Sequence, residues 1–180
     1  EMAGVVVTGH FIFADGGHAP TKLEMDNLWA QPKELGLVLE ALAAADGLPA
    51  ADVIIGVPTG GQRLALELVD CGRLKVPIVR LERVPGGAKQ DFRFLTGEDE
   101  ELALGAKSVR IYEDVVTTLS SVAGVVRLLD PTRQEIHSLA IWRRGTVKDE
   151  YRQGVTDHYL VEELIPSFSA ADCPFPSCRP

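Results

Sequence analysis

A chain of 180 residues that is 46% hydrophobic and 24% charged can bury one sizeable core, and it has no apolar run long enough to cross a bilayer. A net charge of −8 lacks the basic field that general nucleic-acid binding requires, so any anionic substrate must find positive charge gathered locally. Three cysteines make no disulfide framework and no secretory signal precedes the first turn, so the expectation is one soluble domain in the cytoplasm, with neither a membrane nor a nucleic-acid partner.

The first element, Val5 to Phe13, turns at Asp15-Gly16-Gly17-His18-Ala19-Pro20 and predicts a hairpin followed by an irregular segment. On turn composition His18 is equally a solvated turn histidine or a ligand group. Pro32 through Ala45 carries Leu35, Val38, Leu39 and Leu42 on one face, with Pro32 in a first turn and Gly47 past the end, which predicts a packed helix.

Asp52 to Val57 is a continuous apolar run suited to a buried parallel strand. Pro58-Thr59-Gly60-Gly61 breaks it before a helix over Gln62 to Val69. A Gly-Gly pair at such a turn lets the backbone approach a ligand closely. No Lys-Ser/Thr follows it as in a nucleotide P-loop, and no Gly-x-Gly-x-x-Gly marks a dinucleotide site. The strand Val76 to Leu81 then runs into Glu82 to Phe92, a basic, glycine-containing segment with Arg80, Arg83 and Lys89 around it. That segment is expected to be either a mobile lid, closing over an anion, or a solvated charged hairpin.

The stretch with the densest chemistry is Val109 to Ser121. Val109 to Tyr112 predicts a strand, Glu113 and Asp114 follow at its carboxyl end, Thr117-Thr118-Leu119-Ser120-Ser121 forms a hydroxyl-rich turn, and Val122 to Leu129 is helical in period. Carboxylates there suit hydroxyls, and the unpartnered N–H groups of a helix start suit a phosphate, so the pair asks for a ligand such as a ribose 5-phosphate. Asp130-Pro131 stops the helix, and Ile136 to Trp142 predicts a last strand running into Arg143-Arg144-Gly145, with His137 structural. The tail from Pro166 is proline-rich. Its Cys173 and Cys178, with only His158 upstream, fall short of the four ligands zinc needs, so no metal ligand is assigned.

Glu113-Asp114-Val115-Val116-Thr117-Thr118 resembles the signature of the type I phosphoribosyltransferases, in which acids hold the ribose hydroxyls of phosphoribosyl pyrophosphate (PRPP) and the following turn holds its 5-phosphate. Gly9-His10-Phe11-Ile12-Phe13-Ala14-Asp15-Gly16-Gly17-His18 is similar to the opening phrase of the orotate phosphoribosyltransferases, and the Cys-containing tail has counterparts among them. The resemblance implies an α/β fold with a mostly parallel central sheet flanked by helices, residues 1–165 forming the domain with a small hood or flap from about 5 to 30, and residues 166–180 a tail.

It further implies transfer of the 5-phosphoribosyl group to a nitrogenous base, orotate foremost, with release of pyrophosphate. The alternative is a PRPP-binding regulator without catalysis. By the same carry-over Glu113, Asp114 and Lys89 are catalytic. Thr117, Thr118, Leu119, Ser120 and Ser121 hold the phosphate, Thr59, Gly60 and Gly61 the pyrophosphate, Arg80 and Arg83 the leaving group, Arg143 the carboxylate of orotate, and His18 lies in the flap. Mg2+ is expected to accompany PRPP, and a homodimer is expected.

This chain departs from the family in three places. The basic loop has no histidine, Trp142 stands where an acid precedes the arginine and is a candidate to stack on a ring, and Leu119 replaces the glycine of the phosphate turn. Either the turn holds Leu119 in an ordinary backbone conformation and keeps the phosphate through Thr117, Thr118 and Ser121, or the turn is distorted and binding is poor. The expectation is binding retained but weakened, so that Leu119→Gly tightens it.

Overall fold

The computed structural model describes residues 4–13, 16–44 and 48–175. Asp15 of the first turn, Ala45 and Gly47 at the end of the predicted helix, and Cys178 of the tail lie outside the described residues. The chain forms two compact units, one of residues 1–37 with 163–180 and the other of residues 38–162.

In the first unit, β1 (Val6–Ile12) and β2 (His18–Leu23) pair antiparallel, with a register shift between Thr8 and Phe11, and α1 (Met25–Trp29) follows. The tail joins this hairpin through a two-way backbone bridge, in which the His18 N–H donates to the Phe168 carbonyl and the Phe168 N–H donates to the His18 carbonyl, each at 2.8 Å. Pro32–Ala43 is α2, and its Leu35, Leu39 and Leu42 are buried at the helical spacing read from the sequence.

The second unit is an α/β layer structure. After β3 (Val53–Gly56) come α3 (Gly60–Asp70), β4 (Ile78–Val79), β5 (Leu81–Arg83), β6 (Phe92–Phe94), α4 (Gly97–Gly105), β7 (Ser108–Val116), α5 (Ser120–Val126), β8 (Glu135–Arg143) and β9 (Thr156–Glu162). The sheet runs β4-β3-β7-β8-β9 with every pairing parallel, and β3 and β7 at its centre read as near-continuous apolar runs because both faces are covered. Val53, Ile55, Val109, Ile111, Val122, Val125 and Ile136 are among the residues of one buried cluster. α3 buries Gly61, Leu64, Ala65 and Leu68, one stripe of a helix.

The basic segment after β4 is a hydrogen-bonded hairpin. β5 and β6 pair antiparallel from Leu81↔Phe94 to Arg83↔Phe92, and the turn is closed by Val84 N–H to Asp91 O at 2.9 Å and Gly87 N–H to Val84 O at 3.0 Å. Of the two expectations for this segment, the charged hairpin is the one observed. The strand predicted over Val76 to Leu81 divides accordingly, with Ile78 and Val79 in the main sheet and Leu81 in the hairpin.

Neither α4 nor β9 had a reading from periodicity. α4 starts at Thr96, whose hydroxyl accepts the Asp99 N–H at 3.1 Å, and the buried Gln134 side chain closes its far end by donating to the carbonyls of Ala103 and Ala106 at 2.7 and 2.8 Å. β9 adds to the edge of the sheet by pairing with β8 from His137↔Thr156 to Arg143↔Glu162.

Candidate functional site

The carboxyl ends of β3, β7 and β8 lie side by side, the place where an open parallel sheet offers a crevice to a ligand. β3 ends first, at the pair Gly56↔Tyr112, while β7 continues along β8 through Glu113↔Ala140, Val115↔Trp142 and Val116↔Arg143. Glu113 and Asp114 therefore lie within β7, not after it as the sequence suggested, because β8 goes on supplying ladder partners. They still project past the end of β3, into the space its loop has to cross.

That loop is Pro58-Thr59-Gly60-Gly61, with the Pro58–Thr59 peptide cis. A Cβ built at Gly60 would fall on the Asp114 carboxylate, and one built at Gly61 would fall on the Tyr112 carbonyl, so only glycine lets the loop rest on β7. Thr59, at the N-cap of α3, makes no side-chain capping bond and is exposed. Glycine loop and acid pair are thus in direct contact.

Asp114 is half-buried and its Oδ1 accepts the Val115 N–H at 2.7 Å. Glu113 is buried, and its carboxyl is held well above the usual range, first by burial and then by the charge and hydrogen bonding of Asp114, with the Arg83 charge opposing.

Arg83 joins this group from the hairpin. Its guanidinium donates to the Pro58 carbonyl and the Lys89 carbonyl and lies 5.2 Å from the Phe92 ring centroid. Lys89 itself is exposed on the hairpin. Arg80 is engaged elsewhere. Its Nη2 meets Asp99 Oδ2 at 3.1 Å, and Asp99 Oδ1 accepts the Arg80 backbone N–H at 2.9 Å and Nε at 3.3 Å.

On the far side of the acids, the Thr118 hydroxyl donates to Ser120 Oγ at 3.2 Å, with Thr117 exposed and Ser121 half-buried. Leu119 corrects an expectation. Its backbone is left-handed, at φ 73° and ψ 3°, and its side chain is buried within the apolar core. The residue takes the conformation that glycine would have supplied, and its side chain turns inward.

The arginine that touches this turn is Arg144, whose Nε donates to Thr117 Oγ1 at 3.1 Å and whose backbone N–H donates to the Val116 carbonyl at 2.9 Å. The resemblance assigns its neighbour, Arg143, to the carboxylate of orotate. Arg143 instead pairs with Glu162 at 2.6 Å and lies 5.4 Å from the Tyr159 ring centroid, toward β9. Arg143 is the last residue of β8 and Arg144 the first beyond it. Trp142, a candidate for stacking on a ligand ring, is buried in β8.

His158 is hydrogen-bonded to His137 at 3.1 Å. His18 is buried in the first unit, not a solvated turn residue, and its Nδ1 lies 3.0 Å from His10 Nε2.

The geometry sets two acids, a hydroxyl-rich turn and a glycine loop at adjoining strand ends. The chain is 29% identical over 172 residues to an orotate phosphoribosyltransferase of Thermoanaerobacter sp., covering 95% of this chain and 85% of the relative. It is 28% identical over 175 residues to that of Thermotoga maritima, covering 97% and 88%. Both relatives are orotate phosphoribosyltransferases, and the likeness runs along nearly the whole chain.

No protein-family model matches it. In fold it is similar to the orotate phosphoribosyltransferase of Aeropyrum pernix, with a TM-score of 0.69 at 23% identity over 88% of both chains. It is similar as well to the adenine phosphoribosyltransferase of Trypanosoma brucei, with a TM-score of 0.66 at 15% identity over 97% of this chain and 82% of the other. The parallel sheet flanked by helices is thus the type I phosphoribosyltransferase fold.

Proposed function

We propose that the protein transfers the 5-phosphoribosyl group of PRPP to a nitrogenous base, orotate foremost, with release of pyrophosphate. The observation that supports this reading most is the contact of the Gly60-Gly61 loop with Asp114, beside a turn of hydroxyls that Arg144 touches. In this reading Asp114 and Glu113 bind the ribose hydroxyls. Thr117, Thr118, Ser120 and Ser121, with the N–H groups of their turn, receive the 5-phosphate, and the backbone of Thr59 to Gly61 receives the pyrophosphate. Arg83 brings positive charge to that loop and Lys89 offers a second cation from the hairpin. The sequence relatives are named for orotate, and the Trypanosoma brucei fold neighbour was solved with AMP, pyrophosphate and ribose-5-phosphate.

The base nitrogen donates its electron pair to the anomeric carbon while the bond from that carbon to the pyrophosphate oxygen breaks and its electrons leave with pyrophosphate. Positive charge grows on the ribose as this happens. The carboxylates beside the sugar and the cations beside the leaving group stabilise that state electrostatically. Asp114 and Glu113 have the hard oxygens that would hold a Mg2+ ion arriving with PRPP, and that ion would offset the phosphate charge. A homodimer in the cytoplasm completes the proposal, and light scattering at micromolar concentration checks the dimer.

A second reading, a PRPP-binding protein without transferase activity, draws on the ties that hold Arg80 to Asp99 and Arg83 to two carbonyls. Incubation with PRPP, Mg2+ and a panel of pyrimidines and purines separates the two. Pyrophosphate release with orotate supports transfer, and release with none of the bases favours the second reading. Glu113→Ala with Asp114→Ala should weaken PRPP binding more than tenfold by calorimetry, since hydrogen bonds to charged groups are worth about 1.5–3 kcal/mol each. Unchanged affinity in a folded double variant would overturn both.

A further inference from the structure

In the first unit, three ligand-type side chains from distant parts of the chain converge. His10 comes from β1, His18 from β2 and Cys173 from the tail. His10 Nε2 lies 3.0 Å from His18 Nδ1 and 3.5 Å from Cys173 Sγ, and all three ligand atoms fall within 4.8 Å of one another. We propose that His10, His18 and Cys173, with a solvent molecule as the fourth ligand, bind one zinc ion that fastens the tail to the N-terminal hairpin.

The distances suit that ion. With Zn–N of about 2.0–2.1 Å and Zn–S of about 2.3 Å, a tetrahedral centre sets its nitrogen ligands about 3.3 Å apart and a nitrogen and sulfur about 3.6 Å apart. The observed 3.5 Å between Sγ and Nε2 matches, and the 3.0 Å between nitrogens requires an opening of a few tenths of an ångström. A purely hydrogen-bonded triad fits less well. A neutral imidazole carries one N–H, and His10 Nε2 faces both a ring nitrogen and a sulfur, whereas a cation accepts lone pairs from all three.

Two imidazoles and a thiolate form a borderline-to-soft set that selects zinc over magnesium or calcium, which take oxygen. The site is therefore chemically distinct from any Mg2+ that PRPP brings. Binding displaces the thiol proton of Cys173 to solvent.

The surroundings are built to hold the cluster. His18 and Cys173 are 6% and 5% exposed, and Phe175 stacks on His10 with ring centroids 4.4 Å apart and an interplanar angle of 16°. The bridge between His18 and Phe168 brings the tail to β2. A turn in which Ser169 Oγ accepts the Asp172 N–H at 3.2 Å, and donates to Asp172 Oδ2 at 2.6 Å, then aims Cys173 at the two rings. Metal ligation here closes a loop of 163 residues, which is where a cross-link restricts the unfolded chain most.

The test uses the full chain, stripped with a chelator and reloaded with zinc chloride. The expected result is about one zinc per chain by mass spectrometry of the metal. Cobalt replacement should add a thiolate-to-metal charge-transfer band, and zinc at a hundredfold excess over Kd should raise Tm by about 5–10 °C. His10→Gln, His18→Gln and Cys173→Ser should each lower zinc content at least tenfold and abolish the cobalt band, while Cys71→Ser keeps both. Failure of the parent to take up zinc, or full zinc retention in Cys173→Ser, overturns the proposal. Should the histidine variants not fold, the parent's metal content and the cobalt band lost in Cys173→Ser decide it. PRPP binding is measured separately, and either outcome there leaves this result standing.

Discussion

Replacing Leu119 tests how its backbone and side chain divide the work of the phosphate turn. A left-handed conformation costs a non-glycine residue about 1–2 kcal/mol, and Leu119 sits there at φ 73°. Against that stands its side chain, 2% exposed in the cluster with Val116, Val122 and Val125. Truncating a buried leucine to alanine costs about 2–5 kcal/mol. Leu119→Ala keeps the strained backbone and loses the packing. Leu119→Gly loses the same packing but is relieved of about 1 kcal/mol of strain.

Both variants should therefore be less stable than the parent, with glycine above alanine by about 1 kcal/mol, the reverse of their order in a helix interior. At about 2–4 °C per kcal/mol for a chain of this size, Leu119→Gly should melt roughly 5–10 °C below the parent. Urea titration gives the free energies and calorimetry the PRPP affinity. That affinity should stay within about twofold of the parent, because the turn already has the geometry glycine would give it. An alanine variant as stable as the glycine one would show that the backbone stores no strain. Tighter PRPP binding in Leu119→Gly would show that the leucine side chain intrudes on the phosphate.

Three further outcomes follow from neighbouring groups. Burial pushes the Asp99 carboxyl up, but hydrogen bonds from Thr96 and Arg80 outweigh it and hold the pKa below the ordinary 3.8, so its contribution is present above about pH 4 and fades as pH falls through the folded value. Asp99→Asn should lower stability at pH 7 by about 2 kcal/mol and flatten the acid limb of a pH–stability curve below pH 4. Glu113 is shifted the other way, its folded pKa lying above 4.5, so its ionisation costs stability as pH rises above that value. Glu113→Gln should remove that decline and stabilise the fold at neutral pH by denaturant titration while weakening PRPP binding. Gly60→Ala should displace the loop from Asp114 and lower PRPP affinity at least tenfold with circular dichroism unchanged, and an unaltered affinity would mean the contact plays no part in binding.

Local pattern revealed most of the second unit. Val53 to Gly56 and Val109 to Tyr112 read as buried strands because they are, and the helix Gly60–Asp70 followed from its apolar stripe. What escaped was set by partners distant in sequence. The extension of β7 through Glu113 depends on ladder partners in β8, and the inward turn of Leu119 depends on a core its own neighbours do not define. Arg80 looked like a free cation until Asp99 came to it from α4, although Thr96 and Asp99 at capping spacing were there to be read. His10 and Cys173 carry no shared signal in one dimension, since 163 residues separate them.

The bridge between His18 and Phe168 also has a consequence for synthesis on the ribosome. The hairpin of residues 6–23 is made before residues 38–162, and its backbone partner in the tail after them. The central sheet therefore has all of its strands once Glu162 is made, while the first unit still has an unfilled strand edge. A chain truncated before Phe168 should leave that hairpin open to chaperones and proteases even when the sheet is fully formed.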